Sequence, residues 1–135
     1  MTKGGLTMNK AFLLGCRIYV GVMAVILLIN GFLWGFLPDS NLALNGIIVE
    51  SVLGMNMIKS DIGGSLIAIS ILTVLFLLNR KQWFYPVIIF TSSLLFVRII
   101  SLLTDGYHEI AIAGVVMEVL FLLSAISINY KQNNT

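Results

Sequence analysis

The chain has 135 residues, of which 59% are hydrophobic and 10% charged, with a formal net charge of +2. Soluble domains carry about 25% charged and about 45–50% apolar residues, and a short chain has too little interior to hide such an excess, so a soluble globular fold, a disordered chain and a nucleic-acid-binding domain are excluded. The single cysteine, Cys16, rules out an internal disulfide and any cysteine-based metal cluster, and the low, scattered charge offers no polyanion a surface.

What remains is an integral membrane protein whose first partner is the lipid bilayer. A span needs about 20 mostly apolar residues to cross about 30 Å of hydrocarbon. The first such run covers residues 11–37, with Arg17 near its start and Asn30 near its end. It is too long for a signal-peptide core and lacks an A-x-A cleavage pattern, so it is expected to stay in the mature protein. Residues 38–56 mix apolar side chains with Asn41, Asn45, Glu50 and Ser51 and read as an interfacial element over the bundle mouth. The second run covers 57–78, with Asp61 one turn inside, the third 83–104, carrying Arg98, and the fourth 110–128, carrying Glu118. Short polar connections at 79–82 and 105–108 join them. Barrel strands would alternate over about ten residues, whereas these runs are continuously apolar. The reading is all-α: one domain, an antiparallel four-helix transmembrane bundle.

Lys3, Lys10, Arg80, Lys81 and Lys131 fall on one side of this topology. The positive-inside rule assigns that side, with both termini, to the cytoplasm of a cell (plasma or inner) membrane. Asp39, Glu50, Asp105 and Glu109 lie opposite, with Lys59 as the basic residue there. Trp83, Tyr85 and Tyr130 at the inner interface and Trp34 and Tyr107 at the outer one fit an aromatic belt.

Charges inside spans are costly and face the bundle interior or a wet cavity. Helical rise sets Arg98 about 10 Å and Glu118 about 15 Å below the outer mouth, with Asn30 at a depth like that of Arg98. Asp61 shares a stripe with Gly64, Ser65 and Ala68, and Glu118 with Ala111, Gly114 and Ala125; such small residues predict protein-facing sides. Arg98 lies with Thr91, Ser101 and Asp105 on the most polar side of its helix, and Gly31 and Gly35 form a G-x-x-x-G suited to close approach. An outward-opening polar pocket is expected, walled by Asn30, Asp61, Arg98 and Glu118. Asp105 and His108 stand at its rim, and Lys59 is positioned for a head group.

Blander roles compete with each of these. Asp61, Arg98 and Glu118 suit a buried ion-pair network that fixes helix register. Asp105 suits a turn before Gly106, Asn30 an interhelical hydrogen bond, and Cys16 apolar packing. His108 is a lone histidine without a partner at metal spacing. No metal, cofactor or catalytic residue is assigned: G-x-S-x-G, H-E-x-x-H and phosphate-cradling glycine loops are all missing. Paired-carboxylate acid/base chemistry by Asp61 and Glu118 stays open, since they differ in depth and therefore in desolvation.

The run Ile58-Lys59-Ser60-Asp61-Ile62-Gly63-Gly64 resembles the R-x-D-[FI]-G-G signature of small bacterial four-helix membrane proteins in the DoxX-like superfamily. Val97-Arg98 and Asp105-Gly106 are similar to that group's later R…D-G element, and Glu118 to an acidic residue in the last helix; the resemblance extends over about residues 10–130. Lys59 departs from the usual arginine and removes bidentate recognition there. The resemblance implies the four-helix membrane fold and this residue set but supplies no reaction. Its distant members include sterol-isomerising and sterol-binding proteins with intramembrane carboxylates, an analogy of fold alone.

The leading functional expectation is an outward pocket that binds a lipid or small amphipathic molecule, its polar head held by Arg98 and Lys59. The rivals are a proton-coupled small transporter or channel subunit, assembled as a homo-oligomer, and a structural accessory subunit of a membrane complex.

Overall fold

The structure, a computed structural model, describes residues 10–78, 81–106 and 109–133. Helix α1 spans Lys10–Phe36 and short helix α2 spans Pro38–Leu44. Helix α3 runs over Val52–Leu77 and contains a widened π-helical stretch at Ile58–Gly64. A 3₁₀ turn at Lys81–Trp83 leads into α4, Phe84–Thr104, and α5 spans Glu109–Asn133. Four helices are long and apolar enough to cross a membrane: α1, α3, α4 with its 3₁₀ turn, and α5.

Local chemistry explains the boundaries. Pro38 opens α2, where a missing N–H costs nothing. Gly46, at φ 64°, takes the left-handed turn that follows it. Ser51 is extended and its Oγ accepts the N–H of Gly54 at 3.0 Å, capping α3. That cap starts the second span at Val52, earlier than the apolar run suggests, so the expected interfacial segment is divided between α2, a short irregular stretch and the first turns of α3. At the other end of the chain, α5 continues past the apolar run to Asn133, with Glu109 in its first turn and Lys131 in its last, both favourable to the helix dipole.

The four long helices form a closed ring of neighbours. α1 packs on α3 and α5, and α4 packs on α5 and α3. Val20, Met23, Ile69, Phe76, Val87, Phe121, Ala125 and Ile128 make the apolar core between them. Phe12, Ile29, Phe96 and Leu103 stay exposed, as befits helices surrounded by acyl chains, where burial of apolar surface from water no longer drives association and close packing takes its place.

The closest packing is a three-glycine crossing. A Cβ on Gly63 of α3 would lie 2.6 Å from both Cα and N of Gly35 on α1, and one on Gly31 would lie 2.8 Å from the Ile67 nitrogen. Nearby, the Ser70 hydroxyl donates to the Ala24 carbonyl oxygen at 2.7 Å, and the Tyr19 hydroxyl donates to that of Met117 at 2.9 Å, tying α1 to α3 and α5. The G-x-x-x-G of α1 thus makes the close approach its spacing predicts. The side of α3 that meets it differs from the one expected. Gly63, Ile67 and Ser70 face α1, whereas Asp61, Gly64 and Ala68 are exposed. Adjacent glycines at 63 and 64 put small residues on both sides of α3, so size alone could not choose between them.

Candidate functional site

Thr91, Leu94 and Arg98 recur at helical spacing on one side of α4, and Gly114, Met117, Glu118 and Phe121 on one side of α5. With Met23 and Leu27 from α1 and Ile69 from α3, they enclose a cavity of about 180 Å³. All four long helices contribute to its wall, which is apolar except for Thr91, Arg98 and Glu118. Thr91 is already satisfied, its hydroxyl donating to the Val87 carbonyl at 2.9 Å.

Arg98 and Glu118 form an ion pair with unequal use of the carboxylate. Arg98 Nε donates to Glu118 Oε1 at 3.1 Å and Nη2 donates to the same oxygen at 2.9 Å. Glu118 Oε2 is buried and has no hydrogen-bond partner. The guanidinium lies against Gly114, where a Cβ would come within 2.9 Å of its Cζ and Nη1. The Arg98 side chain is 38% exposed and that of Glu118 13%, so the arginine closes one side of the cavity while the carboxylate belongs to its interior. A buried acceptor lacking a donor is costly. It is best satisfied by a hydroxyl, an amide N–H, a water or a proton.

The remaining residues singled out in the sequence sit elsewhere. Asn30 turns its side-chain amide back to the Ile26 carbonyl of its own helix at 3.0 Å. Lys59 is half-buried, and Asp61 is exposed and accepts from the Ser60 hydroxyl at 2.9 Å. Asp61 lies about two and a half turns beyond the start of α3 instead of one, because the helix begins earlier. Asp105 ends α4, accepting from Ser101 at 2.7 Å and from Thr104 at 3.0 Å. These two hydroxyls, Ser101 first, hold its carboxyl below the ordinary aspartate range. Gly106 follows at φ 103°, which agrees with the turn reading of Asp105. His108 and Tyr107 lie outside the described residues. Among the described residues, no group of three or more His, Cys, Asp or Glu is placed to hold a metal ion.

Of the six expected site residues, then, the cavity wall brings together Arg98 and Glu118. The wall residues that sequence reading passed over are Met117 and Phe121 on α5, Leu94 on α4, and Met23, Leu27 and Ile69. The first two share the stripe of Glu118 and could have been found from it. The α1 and α3 contributors carry no such mark, since those helices are apolar nearly all round.

Comparison of the chain with protein-family models, with curated proteins and with solved structures gives no match.

Proposed function

We propose that this is a multi-pass protein of the cell (plasma or inner) membrane that seats the polar end of a lipid or small amphipathic molecule at the Arg98–Glu118 pair. The observation that carries the reading is the partnerless Oε2 of Glu118 in an otherwise apolar cavity. Arg98 fixes Oε1, so Oε2 is the free acceptor for a ligand hydroxyl or amide, while Met23, Leu27, Ile69 and Phe121 take hydrocarbon. A volume of about 180 Å³ is below the roughly 300–1,000 Å³ of sites that enclose a drug-sized ligand. It suits a head group or a ring, the rest of the ligand lying along the exposed helix sides. The short connections and the one-sided lysines and arginines support an antiparallel bundle with both termini cytoplasmic and this cavity in the outer half. The motif around Asp61 and Gly63 supports a place in the DoxX-like superfamily.

The test is lipid retention. Purified protein is incubated with a total membrane-lipid extract and the bound lipids are identified by mass spectrometry. Wild type is expected to retain a discrete lipid species that Arg98→Ala and Glu118→Gln lose; retention unchanged in both variants would remove the proposal. A proton-coupled small transporter or channel subunit draws on the same buried oxygen as a proton site, with flux into vesicles abolished by Glu118→Gln. It fits less well, because the core beyond the cavity is apolar and its buried hydroxyls, Ser70 and Thr73, are spent on backbone carbonyls.

A further inference from the structure

The wall of the Arg98–Glu118 cavity is buried toward α1 and α3 and open between α4 and α5. Met23, Ile69 and Phe121 line it and are buried. Leu94 and Arg98 on α4 and Met117 on α5 line it as well, yet Leu94 is 39% and Met117 38% exposed, as is the Arg98 side chain. The opening therefore faces sideways. Arg98 precedes Thr104, the last residue of α4, by six residues, about 9 Å along the axis, so the mouth lies within a membrane-spanning stretch and not at its end. Val97, Val116 and Leu120 on the same two helices are exposed and apolar, the kind of surface that acyl chains cover.

Within the cavity the charges of Arg98 and Glu118 cancel. A carboxylate, phosphate or ammonium entering it would add an unpaired charge to a wall that is otherwise apolar, and burying a charge without a counter-charge is costly. What the pair leaves over is one acceptor and one donor. Glu118 Oε2 is buried without a partner. Arg98 Nε and Nη2 both go to Glu118 Oε1, which leaves Nη1, lying against Gly114, without a hydrogen bond among the described residues. Ser101 and Asp105, the polar groups that continue along α4, are joined to each other at 2.7 Å. A hydroxyl donates and accepts at one uncharged atom. We infer that the cavity takes from the bilayer, through the opening between α4 and α5, a lipid whose head is an uncharged alcohol. The hydroxyl donates to Oε2 and accepts from Nη1, while its first carbons lie against Met23 and Phe121. This assignment of class and entry rests on the reading of the Arg98–Glu118 pair as a lipid site.

Probes that share one chain isolate the head group: oleyl alcohol, oleyl methyl ether, oleyl sulfate and oleylamine. Each is added at equal mole fraction to the full chain in detergent at neutral pH, and bound probe is counted by native mass spectrometry. The alcohol is expected to be retained about tenfold over the ether, which lacks the donor, and over both charged probes; Glu118→Gln should abolish that preference. Wild-type retention of the alcohol no greater than that of the ether, the sulfate or the amine would overturn the inference. A charged probe favoured by wild type and lost in Glu118→Gln would leave the lipid site standing and change its class. Retention of every probe unchanged by Glu118→Gln would remove both. The opening is tested apart from the ligand, with a nitroxide attached in Met117→Cys on a Cys16→Ala background in vesicles. Oxygen dissolved in the bilayer is expected to relax it and a water-soluble nickel chelate to leave it unaffected. Ready access of the chelate would place the mouth in water and overturn entry from the bilayer.

Discussion

Gly114 is the floor on which Arg98 rests: a Cβ there would stand 2.9 Å from the guanidinium carbon. The atom it would strike is the far end of a flexible side chain, so Gly114→Ala should cost little stability, within about 1 kcal/mol. It should instead lift the guanidinium off Glu118. The expected result is near-normal thermal unfolding in detergent together with lipid retention reduced as far as in Arg98→Ala. Retention at the wild-type level would show that the guanidinium finds the carboxylate by another route.

The crossing of α1 and α3 offers an internal control in two neighbouring residues. Gly63→Ala drives a methyl group into the Gly35 backbone, which cannot swing aside, and should destabilise the bundle by about 1–3 kcal/mol or more. Gly64 has nothing within 4 Å of its Cβ position, so Gly64→Ala should be neutral or stabilising by up to about 1 kcal/mol through helix propensity. Thermal unfolding of both variants checks the contrast; equal effects would mean that the helices do not touch at Gly63.

A double-mutant cycle measures the ion pair. Removing one partner of a fully buried pair costs about 3–5 kcal/mol. Because Arg98 is 38% exposed, solvent and head groups screen part of that, and Arg98→Gln or Glu118→Gln alone should cost about 1–2 kcal/mol. The double variant should cost less than the sum of the two, with a coupling of about 0.5 kcal/mol or more. Strict additivity in denaturant unfolding would mean that the contact contributes nothing.

Asp105 gives a pH signature. Hydrogen bonds from Ser101 and Thr104 favour its charged form and lower the folded-state pKa. Their stabilising contribution is therefore complete above the ordinary aspartate range and is lost as the pH falls through the lowered, folded value. The Asp105 carboxyl carbon, followed by NMR in micelles, should titrate below the ordinary range, and Ser101→Ala should move its midpoint upward. A midpoint unmoved by that substitution would mean that Ser101 is not the main cause.

The four spans were legible because nothing but a membrane helix tolerates such continuous apolar runs, and the G-x-x-x-G of α1 was legible because backbone contact demands missing side chains. Helical spacing and depth could put Glu118 and Arg98 in one pocket, but they left open which carboxylate pairs with the guanidinium. The placement of Asp61 they could not decide. Its side of α3 depends on whether Gly63 or Gly64 meets α1, and that choice belongs to Gly31 and Gly35 on another helix. The early start of α3 was hidden for a different reason: Ser51 caps it through a single hydroxyl in a segment whose mixed polarity suggests an interface. In both cases the deciding contact is one that composition and periodicity do not record.

The widened stretch at Ile58–Gly64 also makes that part of α3 tolerant of a change in length. A π turn accommodates more chain per revolution than an α turn, so deleting one residue there can be absorbed by tightening to ordinary geometry, and the glycine contact and everything downstream keep their orientation. The same deletion between Ile67 and Leu77 has no slack to draw on and would swing one part of the helix by about 100° relative to the other. Single-residue deletions should accordingly be tolerated around Asp61, on the N-terminal side of Gly63, and not in the stretch that follows.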